Sequence, residues 1–271
     1  SLRGPPILSS SSSNMPTITQ LLALPNSPLA DPSCPNTFGV ECEIESIYSH
    51  GEVDEAVWEV KPDGSLRNNG LEFVSKPIDK ATAIAAFKAL HEDLRFVNAN
   101  QKFSPRTSIH VHANCKNLTE EQVKNVLLYY VLFEEVFFSL VQPDRRDNIH
   151  CVALNDTHLS SRYNMTIFNL HPIWSKYTAF NIKPLNTYGT IEFRHSDGHS
   201  DTARFAEWIG VIDNLMTLAK ASPMSAAVLE KDNVDRWFDT LFGHCADYKD
   251  LKLRLPALIE NSLIDIKLSF L

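Results

Sequence analysis

Four short segments, far apart along the chain, alternate apolar residues with acids, histidines or arginine: Phe38–Glu45, Gly70–Ser75, Ser108–Ala113 and Thr190–His195. Successive side chains of a β-strand point to opposite faces, so the alternation predicts four strands that are oily on one side. In the first, Glu41, Glu43 and Glu45 share a face, with Val40, Cys42 and Ile44 behind them. The same rule pairs His110 with His112 over Ile109 and Val111, and Glu192 with Arg194 over Ile191 and Phe193.

Other stretches follow a helical period. Ile84, Phe87, Leu90 and Leu94 predict a helix over about 79–97. Thr119-Glu-Glu-Gln122 is a capping box, with Val123, Val126, Leu127, Tyr130 and Phe137 forming a long helix behind it. Phe205, Ile209, Ile212 and Met216 predict a third helix, from about 201 to 221, stopped by Pro223. Residues 56–76 read as a compact β-meander: Val57–Val60 is extended, and turn residues occupy Pro62–Ser65 and Asn68–Gly70. Residues 141–175 predict mostly loop. Tyr177–Ile182 and Tyr188–His195 predict two strands joined by a turn near Asn186. The last fifty residues predict shorter helices around Trp237 and Leu258 and a final strand at Ile264–Phe270. Strands and helices mix without regular alternation, which favours an α+β fold with a mostly antiparallel sheet.

Composition sets limits on this picture. Residues 1–36 hold a serine run, Ser9–Ser13, seven prolines and few charges, and predict loop. Met15 reads as a native start behind an added leader of fourteen residues. That leaves 37–271 as a single domain. Five scattered cysteines without a Cys-x-x-Cys pair suggest reduced thiols in an intracellular, cytoplasmic protein. Cys42, on the apolar face, reads as core. A net charge of −8 with no basic run argues against a nucleic-acid partner. No segment has the apolar length to span a bilayer.

The polar faces carry the chemistry. Glu41 and Glu43, two apart on a strand, separate their side-chain bases by about 7 Å, which suits two neighbouring hard cations. Taken alone, that segment equally fits a solvent-facing polar strand. Glu72 sits mid-strand between Leu71 and Phe73, where a carboxylate needs a reason, and Asp63 flanks the same meander. His110 and His112 form a His-x-His pair of the kind found in metal sites, one for a metal and the other for a phosphate. Glu192 and Arg194 are either a local ion pair or a metal ligand beside a guanidinium that neutralises a phosphoryl group. Arg145 and Arg146, like Arg106, fit either an anion site or a solvated surface. There is no P-loop and no Gly-x-Gly-x-x-Gly fingerprint, so metal and arginine would have to hold any nucleotide. With no Gly-x-Ser-x-Gly elbow either, the chemistry is expected to be electrostatic rather than covalent.

In order along the chain, Phe38-Gly-Val-Glu-Cys-Glu43, Trp58 with Asp63-Gly-Ser65, Gly70-Leu-Glu-Phe-Val-Ser75, His110-Val-His112, Lys176-Tyr177 with Asn181, and Ile191-Glu-Phe-Arg194 resemble the putative amidoligase family. That family belongs to the glutamine synthetase and glutamate–cysteine ligase superfamily, and the resemblance covers roughly residues 37–215. It implies a glutamine synthetase-like domain, a curved antiparallel sheet with site residues on one face and helices on the other. It also implies an ATP-dependent carboxylate–amine ligase working through an acyl phosphate. By motif, Glu41, His110 and Glu192 would hold one Mg²⁺ (Mn²⁺ as the alternative), and Glu43 and Glu72 with Asp63 the other. His112 would meet an ATP phosphate, and Arg194, with Glu192 and His112, would form the catalytic set. Arg145, Arg146 and Lys176 join the nucleotide-binding residues. The substrates would be a carboxylate, such as a glutamate γ-carboxyl, and an amine, each either a small molecule or part of a peptide. After Arg194 the chain departs from the family pattern, reading His195-Ser-Asp-Gly-His199. Two rival readings use the same residues: a metal-dependent hydrolase built on His110-x-His112 with Glu41 or Glu192, in which metal activates water, and a non-catalytic binding module of the same fold.

Overall fold

The computed structural model describes residues 15–24, 35–97 and 101–271. The proposed leader and Ser9–Ser13 lie outside them. Six strands form a single sheet: β1 (Phe38–Ile44), β2 (Trp58–Pro62), β3 (Leu71–Ser75), β4 (Ser108–Asn114), β5 (Phe180–Asn181) and β6 (Thr190–Asp197). Their order is β2-β3-β1-β4-β6-β5, and every neighbouring pair is antiparallel. This is the α+β architecture expected. The hairpin from β2 to β3 holds the two expected turns. Asn68 and Asn69 take positive φ there, and a Cβ on Gly70 would meet the Leu66 Cβ at 2.2 Å, so only glycine closes that loop.

The apolar side of the sheet is Val40, Cys42, Ile44, Phe73, Ile109, Val111, Ile191 and Phe193, all buried. Five long helices cover it and one another: α1 (Lys80–Val97), α2 (Glu120–Ser139), α3 (Thr202–Ala221), α4 (Lys231–Phe242) and α5 (Tyr248–Ser269). α1 begins beyond Asp79, whose carboxylate accepts the Thr82 N–H, and its Phe87, Leu90 and Leu94 are buried, as their spacing implies. α2 opens on the expected capping box, Thr119 and Gln122 exchanging bonds at 3.2 and 3.0 Å. It is apolar nearly all round and runs through the middle of the core, its Phe137 ring stacked 6.2 Å from that of Phe193. Among the described residues, no helix is long and apolar enough to cross a membrane.

Three local expectations change. The chain end is one continuous helix, α5, not a short helix and a strand. Ile264, Ile266, Leu268 and Phe270 alternate as a strand would, yet Leu251, Leu255, Ile259 and Ile266 follow helical spacing and are the buried set. Ile264 and Leu268 take no part in the core and stay exposed. Packing along α2 decides between the two periods, and Pro256 is carried inside the helix although it cannot donate to the carbonyl four residues back. The expected strand at Tyr177–Ile182 narrows to Phe180–Asn181. The turn near Asn186 is a single helical turn, Leu185–Tyr188, closed by Gly189 at φ 68°. Finally, the N-terminal segment expected to be mostly loop contains a helical turn, Ile18–Leu21, whose Ile18 is fully buried and whose N–H donates to Leu118 O at 2.8 Å.

One buried acid joins α2 to the loop that follows it. Glu134 accepts the N–H groups of Leu154 (2.8 Å) and Asn155 (3.1 Å) and the Tyr130 hydroxyl (2.7 Å), which also meets His195 Nε2 at 2.7 Å. Burial pushes its carboxyl up to about 7, against the partial relief of those three donors. A carboxyl raised on folding adds stability that is complete below its unfolded value, near 4.5, and is lost as pH climbs through about 7. The stability of the wild type relative to Glu134→Gln should therefore fall between pH 4.5 and 8, by on the order of 3 kcal/mol. Urea unfolding curves of both proteins across that range measure it; parallel pH profiles would contradict the assignment.

Candidate metal and phosphate site

Cross-strand register assembles the site. Glu41 pairs with His110, His112 with Glu192, Glu43 with Glu72 and Asn181 with Glu192. Residues directly opposite in a sheet share a face. The acids, histidines and arginine expected within single strands thus lie on one surface across four strands, joined by Asn181 from a fifth.

The centre of that surface is tight. His112 Nε2 lies 2.7 Å from Glu41 Oε1 and 3.3 Å from Glu192 Oε2. His110 Nδ1 stands 3.4 Å from Glu41 Oε2 and 3.5 Å from Glu192 Oε2. Glu192 Oε1 accepts from Asn181 Nδ2 at 3.0 Å and from Arg194 Nη1 at 3.1 Å. Glu41, His112 and Glu192 each offer a ligand atom within 4.8 Å of the others. Sequence motif put His110 in that set and His112 on phosphate; the geometry brings both rings to the same two carboxylates, with His112 the nearer.

A second group adjoins the first. Glu43 accepts the Ser108 N–H at 2.9 Å and the Ser108 hydroxyl by a short bond, and that hydroxyl is also 2.9 Å from His110 Nε2. Glu72 sits across from Glu43. Asp63 borders both, its Oδ1 accepting the Ser65 N–H at 2.9 Å and hydroxyl at 2.6 Å.

Electrostatics follow from this crowding. Burial would raise the Glu41 carboxyl, but His110 and His112 hold it far below the ordinary range. Glu192 is likewise buried yet held down to about 2, chiefly by His112 and then by His110 and Arg194. Burial disfavours charge on His112, and its two carboxylate neighbours still bring it up to about 9. Glu72 is pushed up to about 8 by burial and by the nearby Glu41, Glu43 and Asp63. Acids packed this closely fit divalent cations, which prefer carboxylate oxygen and tolerate imidazole. The histidine supplies an independent sign. His112 Nε2 stands between two carboxylates, 2.7 Å from Glu41 Oε1 and 3.3 Å from Glu192 Oε2, while its Nδ1 is 2.9 Å from Thr190 Oγ1. A ring nitrogen aimed between acids, with its other nitrogen held by a polar group, is the arrangement of a metal-ligating imidazole.

The remaining candidates are placed differently. Arg194 is in the cluster. Arg145 is buried beside it but spends its guanidinium on backbone carbonyls. Arg146 points elsewhere, forked on Glu135 and paired with Asp156 at 2.6 Å. Lys176 is exposed, its Nζ 5.0 Å above the Tyr177 ring. Glu45, which shares the first strand's polar parity, lies just past β1 and accepts the Arg67 N–H at 2.6 Å, a structural tie to the loop before β3. Sequence reasoning assigns no role to Ser108, Thr190 or Asn181. The first two continue the alternation of His110 and of Glu192; Asn181 is named within a motif, and register sets it beside Glu192.

A family model described as "Putative amidoligase enzyme" matches residues 36–216, well over half of the chain. The protein therefore belongs to the putative amidoligase family, described as enzymes of ligase type. No curated protein matches the chain. If the cluster holds a divalent ion, Mn²⁺ titration by calorimetry should show Glu41→Gln, His112→Asn and Glu192→Gln each losing about tenfold or more in affinity. Thr190→Val, which removes the partner of the far ring nitrogen, should cost about tenfold. Unchanged Mn²⁺ affinity in the three ligand variants would reject the site.

Proposed function

We propose that this family member is an ATP- and Mg²⁺-dependent carboxylate–amine ligase of glutamine synthetase-like fold. It would form an amide or isopeptide bond through an acyl phosphate, with a glutamate γ-carboxyl as the activated acid. The observation that carries the reading is the convergence of Glu41, His112 and Glu192 within 4.8 Å, with Arg194 paired to Glu192 at 3.1 Å on the same face.

A carboxylate resists attack by an amine because its leaving group would be oxide. Transfer of the γ-phosphoryl of ATP to the carboxylate oxygen, with ADP leaving, converts that leaving group into phosphate; the amine then adds to the acyl carbon, phosphate departs and the amine nitrogen loses a proton. The protein's part is to position three reactants and to offset charge on the phosphoryl in flight. Glu41, Glu192 and the two histidines suit one Mg²⁺, and Glu43, Glu72 and Asp63 the second. Bound there, Mg²⁺ would neutralise phosphate charge and align the γ-phosphoryl with the incoming carboxylate. Arg194 faces the same space with a planar guanidinium matched to phosphate oxygens. A cleft of about 500 Å³ opens beside this centre, lined by Gly39, Lys61, Glu72, His112, Asn114 and Tyr188, and its size suits a nucleotide.

Incubation with ATP, Mg²⁺ and a panel of amino acids and amines should give substrate-dependent ADP and phosphate, with the amide found by mass spectrometry. An ¹⁸O-labelled carboxylate should pass its label to the released phosphate. Glu192→Gln and His110→Ala should each lower ADP formation by about 10²-fold or more while keeping the wild-type melting temperature within a few degrees. AMP as product would contradict the acyl-phosphate route, and turnover without nucleotide would favour the metal-dependent hydrolase.

A further inference from the structure

We propose that Arg145 is a positioning residue for Arg194, holding the backbone of β6 and the loop that orients the Arg194 side chain, rather than a ligand to phosphate. The proposal deepens the ligase reading, in which Arg194 meets the transferring phosphoryl group.

The argument begins at an irregularity in the sheet. β4 and β6 pair Val111 with Phe193 but Ile109 with Ser196, so β6 carries one extra residue opposite His110. Such a bulge interrupts the ladder and leaves backbone groups needing other partners. Arg145 supplies them. It sits in the helical turn Pro143–Asp147, is buried, and donates from Nε to the His195 carbonyl at 2.9 Å and from Nη2 to the Arg194 carbonyl at 2.9 Å. A planar fork can span two consecutive carbonyls; an ammonium cannot do so in the same way.

The same segment then reaches the Arg194 side chain. Five residues beyond Arg145, the His150 carbonyl accepts from Arg194 Nε at 3.0 Å. Next to it, the Cys151 thiol donates to the Arg145 carbonyl at 3.0 Å, and Val152 is tied to the strand side by bonds with Tyr177 and Ala179 at 2.7 and 2.8 Å. Arg194 itself donates its N–H to Ala179 O at 2.7 Å and its Nη1 to Glu192. Arg145 thus links the backbone of Arg194 to the loop that holds its guanidinium. With Nε and Nη1 engaged, Nη2 has no hydrogen bond among the described residues and is the nitrogen best placed to meet an anion. Arg145 is itself buried, with Nε and Nη2 committed to two carbonyls that would be costly to leave unpaired.

The test uses Arg145→Lys and Arg145→Met in the full chain, with melting temperature followed in both; if the Met variant fails to fold, the Lys variant carries the measurement. Positioning predicts that kcat for ADP formation falls about 10- to 100-fold while KM for ATP stays within about twofold. The loss should shrink to under about threefold in an Arg194→Lys background, because the two residues act as one unit. A readout independent of turnover is the Arg194 Nε–H resonance, identified by its disappearance in Arg194→Lys. It should exchange slowly with water in the wild type and quickly in Arg145→Lys. A rise in KM for ATP with kcat unchanged, additivity with Arg194→Lys, or an undisturbed Nε–H resonance would overturn the proposal. Should the wild type show no nucleotide turnover at all, the ligase reading fails, and the resonance alone decides whether Arg145 positions Arg194.

Discussion

Like charge held at close quarters is the constraint around which this molecule is built. Glu41, Glu43, Glu72 and Glu192 occupy one face of the sheet, joined by Asp63 from the neighbouring loop. Such a face repels itself, and it persists because the reverse of the same strands is buried. Val40, Cys42, Ile109, Val111, Ile191 and Phe193 cannot leave the core without exposing it, and a one-residue slip of any strand would exchange the two faces. Hydrophobic burial on one side thus maintains electrostatic strain on the other.

Much of this is legible in the residues alone. A period of two assigns each residue of a strand to a face, which is enough to single out Glu41, His110, His112, Glu192 and Arg194. What a period cannot give is register. The pairing of Glu43 with Glu72, and the arrival of Asn181 beside Glu192, depend on how strands distant in sequence align. Period also misleads where two patterns coexist. Glu45 has the right parity but falls beyond the end of its strand, and Ile264 to Phe270 alternates within what packing makes a helix. The arginine pair after Pro143 illustrates a third limit. Both residues read as surface cations or anion ligands, yet one is buried on backbone carbonyls and the other is turned to Glu135. A guanidinium spent on the backbone has no sequence signature, because its partners are carbonyls that every residue possesses.

Glu134 and Arg145 show how a long irregular segment becomes rigid. The stretch from 143 to 156 has only short helical turns of its own, and a loop of that kind would ordinarily be mobile. Here it is tied at both ends by buried polar side chains that reach backbone groups: Glu134 from the central helix to Leu154 and Asn155, Arg145 from within the loop to β6. Between these anchors hangs the His150 carbonyl that steadies Arg194.

The match to the family ends at residue 216, inside α3, whereas the buried core continues past it. α4 and α5 follow that boundary, and they are the cover of α2: Trp237 packs edge-on to Tyr129 at 5.0 Å, Phe242 to Phe133 at 5.8 Å, and α5 runs along the same helix. A chain cut at the family boundary would keep every residue of the polar face and lose the lid of its core. The matched segment and the packed core are different lengths of this polypeptide.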